Sequence, residues 1–269
     1  MKSLVCITGA AGGLGKAFAV ECASRGWDLF LTDVRETALA SLAAGLSSAY
    51  GVDVVWKTCN LTEQDSRTEL FEFIRSRDLR FRGLINIAGI DYEGPFPEKT
   101  WKGIRTILRL NVEATLEVTR VVLDFRRRGQ PFRIINVASL AAFYPMPVKA
   151  MYAATKRFLL DFSIALREEL RPIGGTVTVL CPAGLPTNTE CIRAIRAQGI
   201  LGRITVKNVG YVASKTVDHA LKGHAVYIPG ILNRVIRCLG GVVPPTVAAR
   251  FIADRWRAAC RKKEAMGGY

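Results

Sequence analysis

Histidine is nearly missing: the chain has two, His219 and His224, in 269 residues. Neither has a carboxylate or cysteine cluster around it in the sequence, so both read as helix-end residues and no metal site is expected. Cysteine is present seven times, but the residues are scattered, odd in number and never spaced Cys-x-x-Cys. That excludes a disulfide framework and leaves buried or free thiols in a reducing compartment. No uncharged apolar run reaches the length of about 18 residues that suggests a membrane-spanning helix. Met1 to Val5 leads straight into a strand, with no basic leader and apolar core, so no signal peptide is expected and the predicted location is cytoplasmic. Solenoid repeats and low-complexity tracts are absent. So is the mixture of aromatic and basic residues that marks RNA binding, and a nucleic-acid partner is not expected.

Positive charge is abundant. The net charge is +15, with local clusters at 75–82, at Arg126-Arg127-Arg128 and at 255–263. Such a surface attracts acidic partners: a carboxylate or phosphorylated substrate, an acidic carrier protein or an anionic membrane. Length and a hydrophobic content of 49% suit one large α/β core, so residues 1–269 are expected to form a single dinucleotide-binding and catalytic domain.

Short apolar runs alternate with helical segments. Strands are expected at Leu4–Thr8, Leu29–Asp33, Val52–Lys57, Leu84–Ile87, Arg133–Ala138, Thr176–Leu180 and Ala225–Ile228. Helices are expected between them, including one capped by Thr62, a long one from Trp101 to Arg128, and one from Met151 to Leu170. The alternation predicts a doubly wound, Rossmann-like parallel sheet of about seven strands with helices on both faces. Residues 184–203 are the least regular and read as a substrate lid. Residues 229–269 read as a C-terminal helical extension, whose mixed apolar residues and arginines suit packing over the substrate mouth, a subunit contact or peripheral membrane contact.

Thr8-Gly9-Ala10-Ala11-Gly12-Gly13-Leu14-Gly15 joins the first strand to the first helix. Small residues there let the backbone approach a pyrophosphate, and the helix start supplies N–H groups and a positive dipole end. Asp33 ends the second strand, eighteen residues past Gly15. A carboxylate at that place accepts ribose hydroxyls and repels a 2′-phosphate, which favours NAD over NADP. Arg35 and Lys16 lie near enough to pair with a phosphate, so NADP stays open.

Tyr152 and Lys156 are four residues apart, about one helical turn, and share a helix face. A phenol ordinarily titrates near pH ~10. A cation one turn away favours the phenolate and makes Tyr152 a candidate base. Ser139 follows an apolar strand thirteen residues upstream and can hold a substrate oxygen beside the phenol.

Taken together these motifs resemble the short-chain dehydrogenase/reductase family from Ser3 to about Ile228. Thr8 to Gly15 is similar to its Thr-Gly-x-x-x-Gly-x-Gly turn. Asn60-Leu61 falls where the family has an acidic and an apolar residue near the adenine. Asn86-Ile87-Ala88-Gly89 resembles its Asn-Asn-Ala-Gly segment, with Ile87 in place of the second asparagine. Pro182-Ala183-Gly184-Leu185-Pro186-Thr187 resembles the segment that contacts the nicotinamide, with Ala183 in place of a glycine. The resemblance implies a catalytic set of Asn111, Ser139, Tyr152 and Lys156, with Asn111 holding a water that relays protons to the lysine. It implies a dinucleotide site of Gly9, Ala11, Gly12, Gly13, Leu14, Gly15, Asp33, Asn60, Leu61, Asn86, Ala88, Gly89, Tyr152, Lys156, Pro182, Leu185 and Thr187. It also implies homo-oligomers that pair through the helices of Asn111 and Tyr152.

The expected activity is hydride transfer between NAD(H) and a secondary alcohol or ketone. Phe143, Tyr144, Met146 and Leu185 suggest an apolar substrate such as a hydroxysteroid. The alternative is a 3-oxoacyl ketoreductase acting on a thioester or carrier-bound acyl group, for which the positive charge aids docking. A non-catalytic nucleotide sensor is the remaining reading, and it does not require Ser139, Tyr152 and Lys156 to occur together.

Overall fold

The computed structural model describes residues 3–187, 191 and 206–266, and for 239–241 and 258–266 only the helix they belong to. Among the described residues seven parallel strands form one sheet in the order β3-β2-β1-β4-β5-β6-β7. They are β1 (Leu4–Thr8), β2 (Leu29–Asp33), β3 (Val54–Thr58), β4 (Phe81–Asn86), β5 (Phe132–Val137), β6 (Gly175–Leu180) and β7 (Val226–Tyr227). The helices between them are α1 (Gly13–Ser24), α2 (Glu36–Tyr50), α3 (Gln64–Ser76), α4 (Trp101–Leu108), α5 (Ala114–Asp124), α6 (Ala150–Leu170) and α7 (Val209–Leu221). Two more follow β7: α8 (Ile231–Val242) and α9 (Pro245–Met266).

Alternate strand residues feed two cores. Val5, Ile7, Leu29, Leu31 and Ile135 pack with Phe18 of α1 and Val212 of α7 on one face. Leu4, Cys6, Phe30, Leu84 and Ile134 pack with Leu70 of α3, Val118 of α5 and Leu166 of α6 on the other. Burial of each such side chain contributes roughly 1.5–3 kcal/mol, and burial on both faces explains why the strands read as continuous apolar runs. The strand order turns outward on either side of β1 and β4. That switch point opens a crevice beyond the carboxyl ends of the strands.

Some expectations need correction. The helix expected from Trp101 to Arg128 is not one α-helix. A π-turn at Arg109–Glu113 interrupts it, and α5 ends at Asp124, because Arg126 leaves to bridge Phe81 at the sheet. Thr62 does not cap α3, which starts two residues later with Glu63 ahead of it. The Thr62 hydroxyl donates instead to Asn60 Oδ1 at 2.8 Å. The third strand begins at Val54 rather than Val52, whose side chain is buried in the core. Most of the expected lid, 188–190 and 192–203, lies outside the described residues. His219 sits in the last turn of α7 as expected, with its Nδ1 2.6 Å from Nδ1 of His224. Cys6, Cys22, Cys59 and Cys181 are buried thiols, and Cys238 is an exposed one.

Candidate active site

The turn after β1 is built by close backbone approach. Thr8 Oγ1 accepts from the N–H of Ile87 at 3.1 Å and of Ala88 at 3.3 Å, tying the ends of β1 and β4 together. Gly9 has φ +66°, and a β-carbon on it would stand 2.9 Å from the Ala88 nitrogen. Only glycine suits that place. A β-carbon on Gly13 would collide with the Thr187 backbone, so this turn packs directly on the 182–187 segment. Gly12 and Gly15 both lie against the Gly9 carbonyl. The Leu14 side chain is buried in the core, which leaves its backbone to face a ligand. Leu185 is likewise buried in that core, and Thr187 N donates to its carbonyl at 2.8 Å.

Asp33 is buried at the end of β2. Its Oδ2 accepts from Ala11 N at 3.0 Å, and its two oxygens accept from Arg35 Nε at 2.9 Å and Nη2 at 3.1 Å. Burial pushes the carboxyl up, but the Arg35 hydrogen bonds and charge and the Ala11 N–H outweigh it, so Asp33 lies below its ordinary range. The Arg35 guanidinium also reaches over Gly12. The carboxylate expected to repel a 2′-phosphate is thus already paired with the nearby Arg35.

Asn60 Oδ1 accepts from Thr62 N and from its hydroxyl. Leu61, Asn86 and Ala88 line one shallow recess with Thr8 and Leu110. The Asn86 amide is used internally. It donates to Thr119 Oγ1 at 3.0 Å and to Asn136 Oδ1 at 2.9 Å, and Asn136 donates on to Ser163 at 2.9 Å.

Around Tyr152 the four expected catalytic residues come together. Ser139 caps a 3-10 turn at 140–143, accepting from Ala141 N at 3.2 Å, and its hydroxyl lies 3.5 Å from the Pro182 carbonyl. Lys156 is buried, donates to the Val137 carbonyl at 2.9 Å, and holds its Nζ 5.7 Å from the centre of the Tyr152 ring. Asn111 is fully buried in the π-turn. Its amide donates to Ile90 O at 2.9 Å and Thr155 Oγ1 at 3.1 Å, and accepts from Ile90 N at 2.9 Å. Gly89 lies against both Asn111 Oδ1 and Lys156 Nζ.

The electrostatics differ from expectation at one point. Burial pushes the Tyr152 phenol above its ordinary value, and the Ser139 hydrogen bond and the Lys149 charge only partly offset it. Lys156 is not among the influences that lower it. The reason is that burial acts on the lysine too and brings its ammonium down to about 8. A neutral phenol beside a serine hydroxyl is arranged to give a proton to an oxygen between them.

Sequence reading did not single out Lys149, which starts α6 one turn before Tyr152 and pairs with Asp91 and with Glu93 at 2.9 Å. It also missed Arg67. This side chain is 1% exposed, donates to Leu61 O at 2.9 Å, and pairs with Glu117 at 2.7 Å and with Glu113, anchoring the Asn60-Leu61 turn to the helices of Asn111. No local pattern marks either residue, because their partners lie far along the chain. Among the described residues no group of three or more histidine, cysteine or acidic side chains could hold a metal, and no helix is long and apolar enough to cross a membrane.

The family model for short chain dehydrogenases matches residues 3–198. A very-long-chain 3-oxoacyl-CoA reductase of Pyrenophora tritici-repentis is 34% identical over 177 residues, which cover 62% of this chain and 50% of that protein. The chain therefore spans about half the length of this relative. A short-chain dehydrogenase from Sphingobium yanoikuyae, solved in complex with NADPH, superposes with a TM-score of 0.74 at 28% identity, covering 99% of this chain and 96% of that one. A 7beta-hydroxysteroid dehydrogenase structure superposes with a TM-score of 0.82 over 93% of this chain and 96% of that one, at 20% identity, a likeness of fold alone. With the strand order, the glycine turn and the grouped Ser139, Tyr152 and Lys156 already agreeing, the chain belongs to the short-chain dehydrogenase/reductase family.

Proposed function

We propose that the protein is a nicotinamide-dependent ketoreductase whose substrates are 3-oxoacyl thioesters. The observation that carries the reaction is the grouping of Ser139, a neutral Tyr152 and Lys156 at the crevice end of the sheet. The substrate class rests on the likeness to very-long-chain 3-oxoacyl-CoA reductases and on the net charge of +15, which suits an anionic thioester carrier. The hydroxysteroid reading has only the apolar residues near Tyr144 in its favour.

The residues present fit a dinucleotide. The Gly9–Gly15 turn has no side chains where a pyrophosphate would approach, and it stands at the start of α1. Asp33 and Arg35 would meet the adenosine ribose, Asn60 and Leu61 the adenine side, and Gly89, Tyr152, Lys156, Pro182 and Thr187 the nicotinamide half. A nicotinamide held there would supply the hydride-transfer chemistry. Ser139 orients the ketone oxygen and stabilises charge that develops on it. Tyr152 donates the proton that turns this oxygen into a hydroxyl. Lys156, with its Nζ 5.7 Å from the centre of the Tyr152 ring, would hold the ribose, and the Asn111 backbone in the π-turn would hold a water that resupplies the proton through the lysine. In the oxidative direction the same groups act in reverse, with Tyr152 as base.

NAD remains the favoured cofactor because Asp33 would meet the ribose hydroxyls, while its pairing with Arg35 weakens the exclusion of NADP. A second copy pairing through α5 and α6 is the expected assembly. Ile231, 78% exposed, Val235 and Val242 form an apolar stripe on α8 beside Arg234, which favours contact with an anionic membrane.

The test is a panel of 3-oxoacyl thioesters, hydroxysteroids and simple secondary alcohols, each assayed with both nicotinamide cofactors. The proposal expects the highest kcat/KM for a 3-oxoacyl thioester. Faster turnover of a hydroxysteroid would overturn the substrate, and no turnover of any carbonyl compound would overturn the activity.

A further inference from the structure

At the opposite end of the sheet, the starts of β4 and β5 carry Arg82 and Arg133. They line an open cleft with about 400 Å³ of empty space, part of it solvent, walled by Trp27, Val217 and Leu221. Gly83, between the two arginines in the lining, has no side chain to fill the space. A β-carbon there would stand 2.9 Å from the Arg133 carbonyl.

The two cations lack a counter-charge. Neither forms an ion pair among the described residues, and Arg133 Nε is buried without any hydrogen-bond partner. The nearby acids are committed elsewhere: Glu21 and Asp218 both bind Arg25, at 2.6 and 2.7 Å. Burial and then the charge of Arg133 hold Arg82 below its ordinary value, and no carboxylate counteracts them. Thr176, paired in register with Arg133 on the next strand, carries a second buried polar atom without a partner, its hydroxyl oxygen. The Arg82 guanidinium lies over the Trp27 ring, 4.8 Å from its centre, which restricts its motion. Orphaned buried donors are rare in folded proteins and call for a missing partner. Two forked guanidiniums match the charge and oxygen geometry of a phosphate dianion.

We propose that this cleft is a second ligand site that binds a phosphate group, as inorganic phosphate or a phosphate monoester, between Arg82 and Arg133 with the Thr176 hydroxyl beside them. It is separate from the dinucleotide crevice and does not depend on the activity proposed above.

The test is calorimetric titration and thermal unfolding of the full chain with inorganic phosphate and with phenyl phosphate, against sodium chloride at matched ionic strength. Phosphate well above its Kd should raise the Tm of the wild type by roughly 4 °C. Arg133→Gln should weaken phosphate binding roughly tenfold or more, while its Tm in chloride stays at or above that of the wild type because a repulsion is gone. Arg82→Gln serves as the second variant and should lose affinity in the same way. Tighter binding of phenyl phosphate than of inorganic phosphate identifies a monoester, and equal binding identifies free phosphate. A wild type that responds no more to phosphate than to chloride, or variants that respond as the wild type does, would overturn the site.

Discussion

The two ends of the sheet treat their buried amides and charges in opposite ways. At the crevice end these are satisfied from within, although the Thr32 and Thr58 hydroxyls there have no partner among the described residues. Asn86, Asn136 and Ser163 form a chain, Asn111 fastens Ile90 and Thr155, Asp33 holds Arg35, and Lys156 donates to Val137. At the other end Arg82 and Arg133 line one cleft, and neither forms an ion pair among the described residues. The difference teaches where rigidity is built in. Satisfied buried networks hold a fixed geometry, as reacting groups require. Unsatisfied cations mark a place that gains from an outside partner.

The contrast can be broken or sharpened by substitution. The largest effect concerns Lys156, whose ammonium is disfavoured by burial. With a folded value of about 8 against an ordinary 10.5, both states hold the proton below pH 8 and the full cost is present there. Between about 8 and 10.5 the unfolded state binds the extra proton, so this group's contribution to stability rises with pH. In the protein without dinucleotide, the stability of wild type relative to Lys156→Met should grow by about 3 kcal/mol across that window. Denaturant unfolding at several pH values measures it, and a flat difference would mean the lysine is not desolvated.

Next is the asparagine chain. Asn136→Leu leaves Asn86 Nδ2 with one partner fewer and takes a donor from Ser163. It should cost about 2 kcal/mol, read as a lower urea midpoint with unchanged slope. A neutral outcome would remove the claim that the crevice end depends on internal pairing.

The smallest effect is at Arg35. Removing its guanidinium in Arg35→Ala uncovers the Asp33 carboxylate, so the ratio of kcat/KM with NAD to that with NADP should rise roughly fivefold. Steady-state assays with both cofactors decide it. A shift toward NADP would show that Asp33 does not face the ribose.

Much of this architecture is legible in the chain itself. The strands at Leu4, Leu29, Arg133 and Thr176 stand out because both of their faces are buried. The glycine turn and the Tyr152–Lys156 pair are local and keep their spacing in the fold. What escapes is contact between distant residues. Helix-compatible residues run through Arg109–Glu113, so nothing local announces the π-turn that carries Asn111. Thr62 has the chemistry of a helix cap, but Asn60 two residues away claims its hydroxyl. The phenol of Tyr152 was expected low on the strength of one nearby lysine. Burial pushes the phenol up and brings the neighbouring ammonium down.

The central claim is that Tyr152 exchanges the proton with the substrate oxygen, and Tyr152→Phe tests it most directly. Turnover of the best substrate from the panel should fall about 10³-fold, while the dinucleotide Kd, followed by fluorescence titration, stays within about twofold, because the phenylalanine keeps the ring and loses only the hydroxyl. A phenylalanine variant that turns over at the wild-type rate would contradict the account.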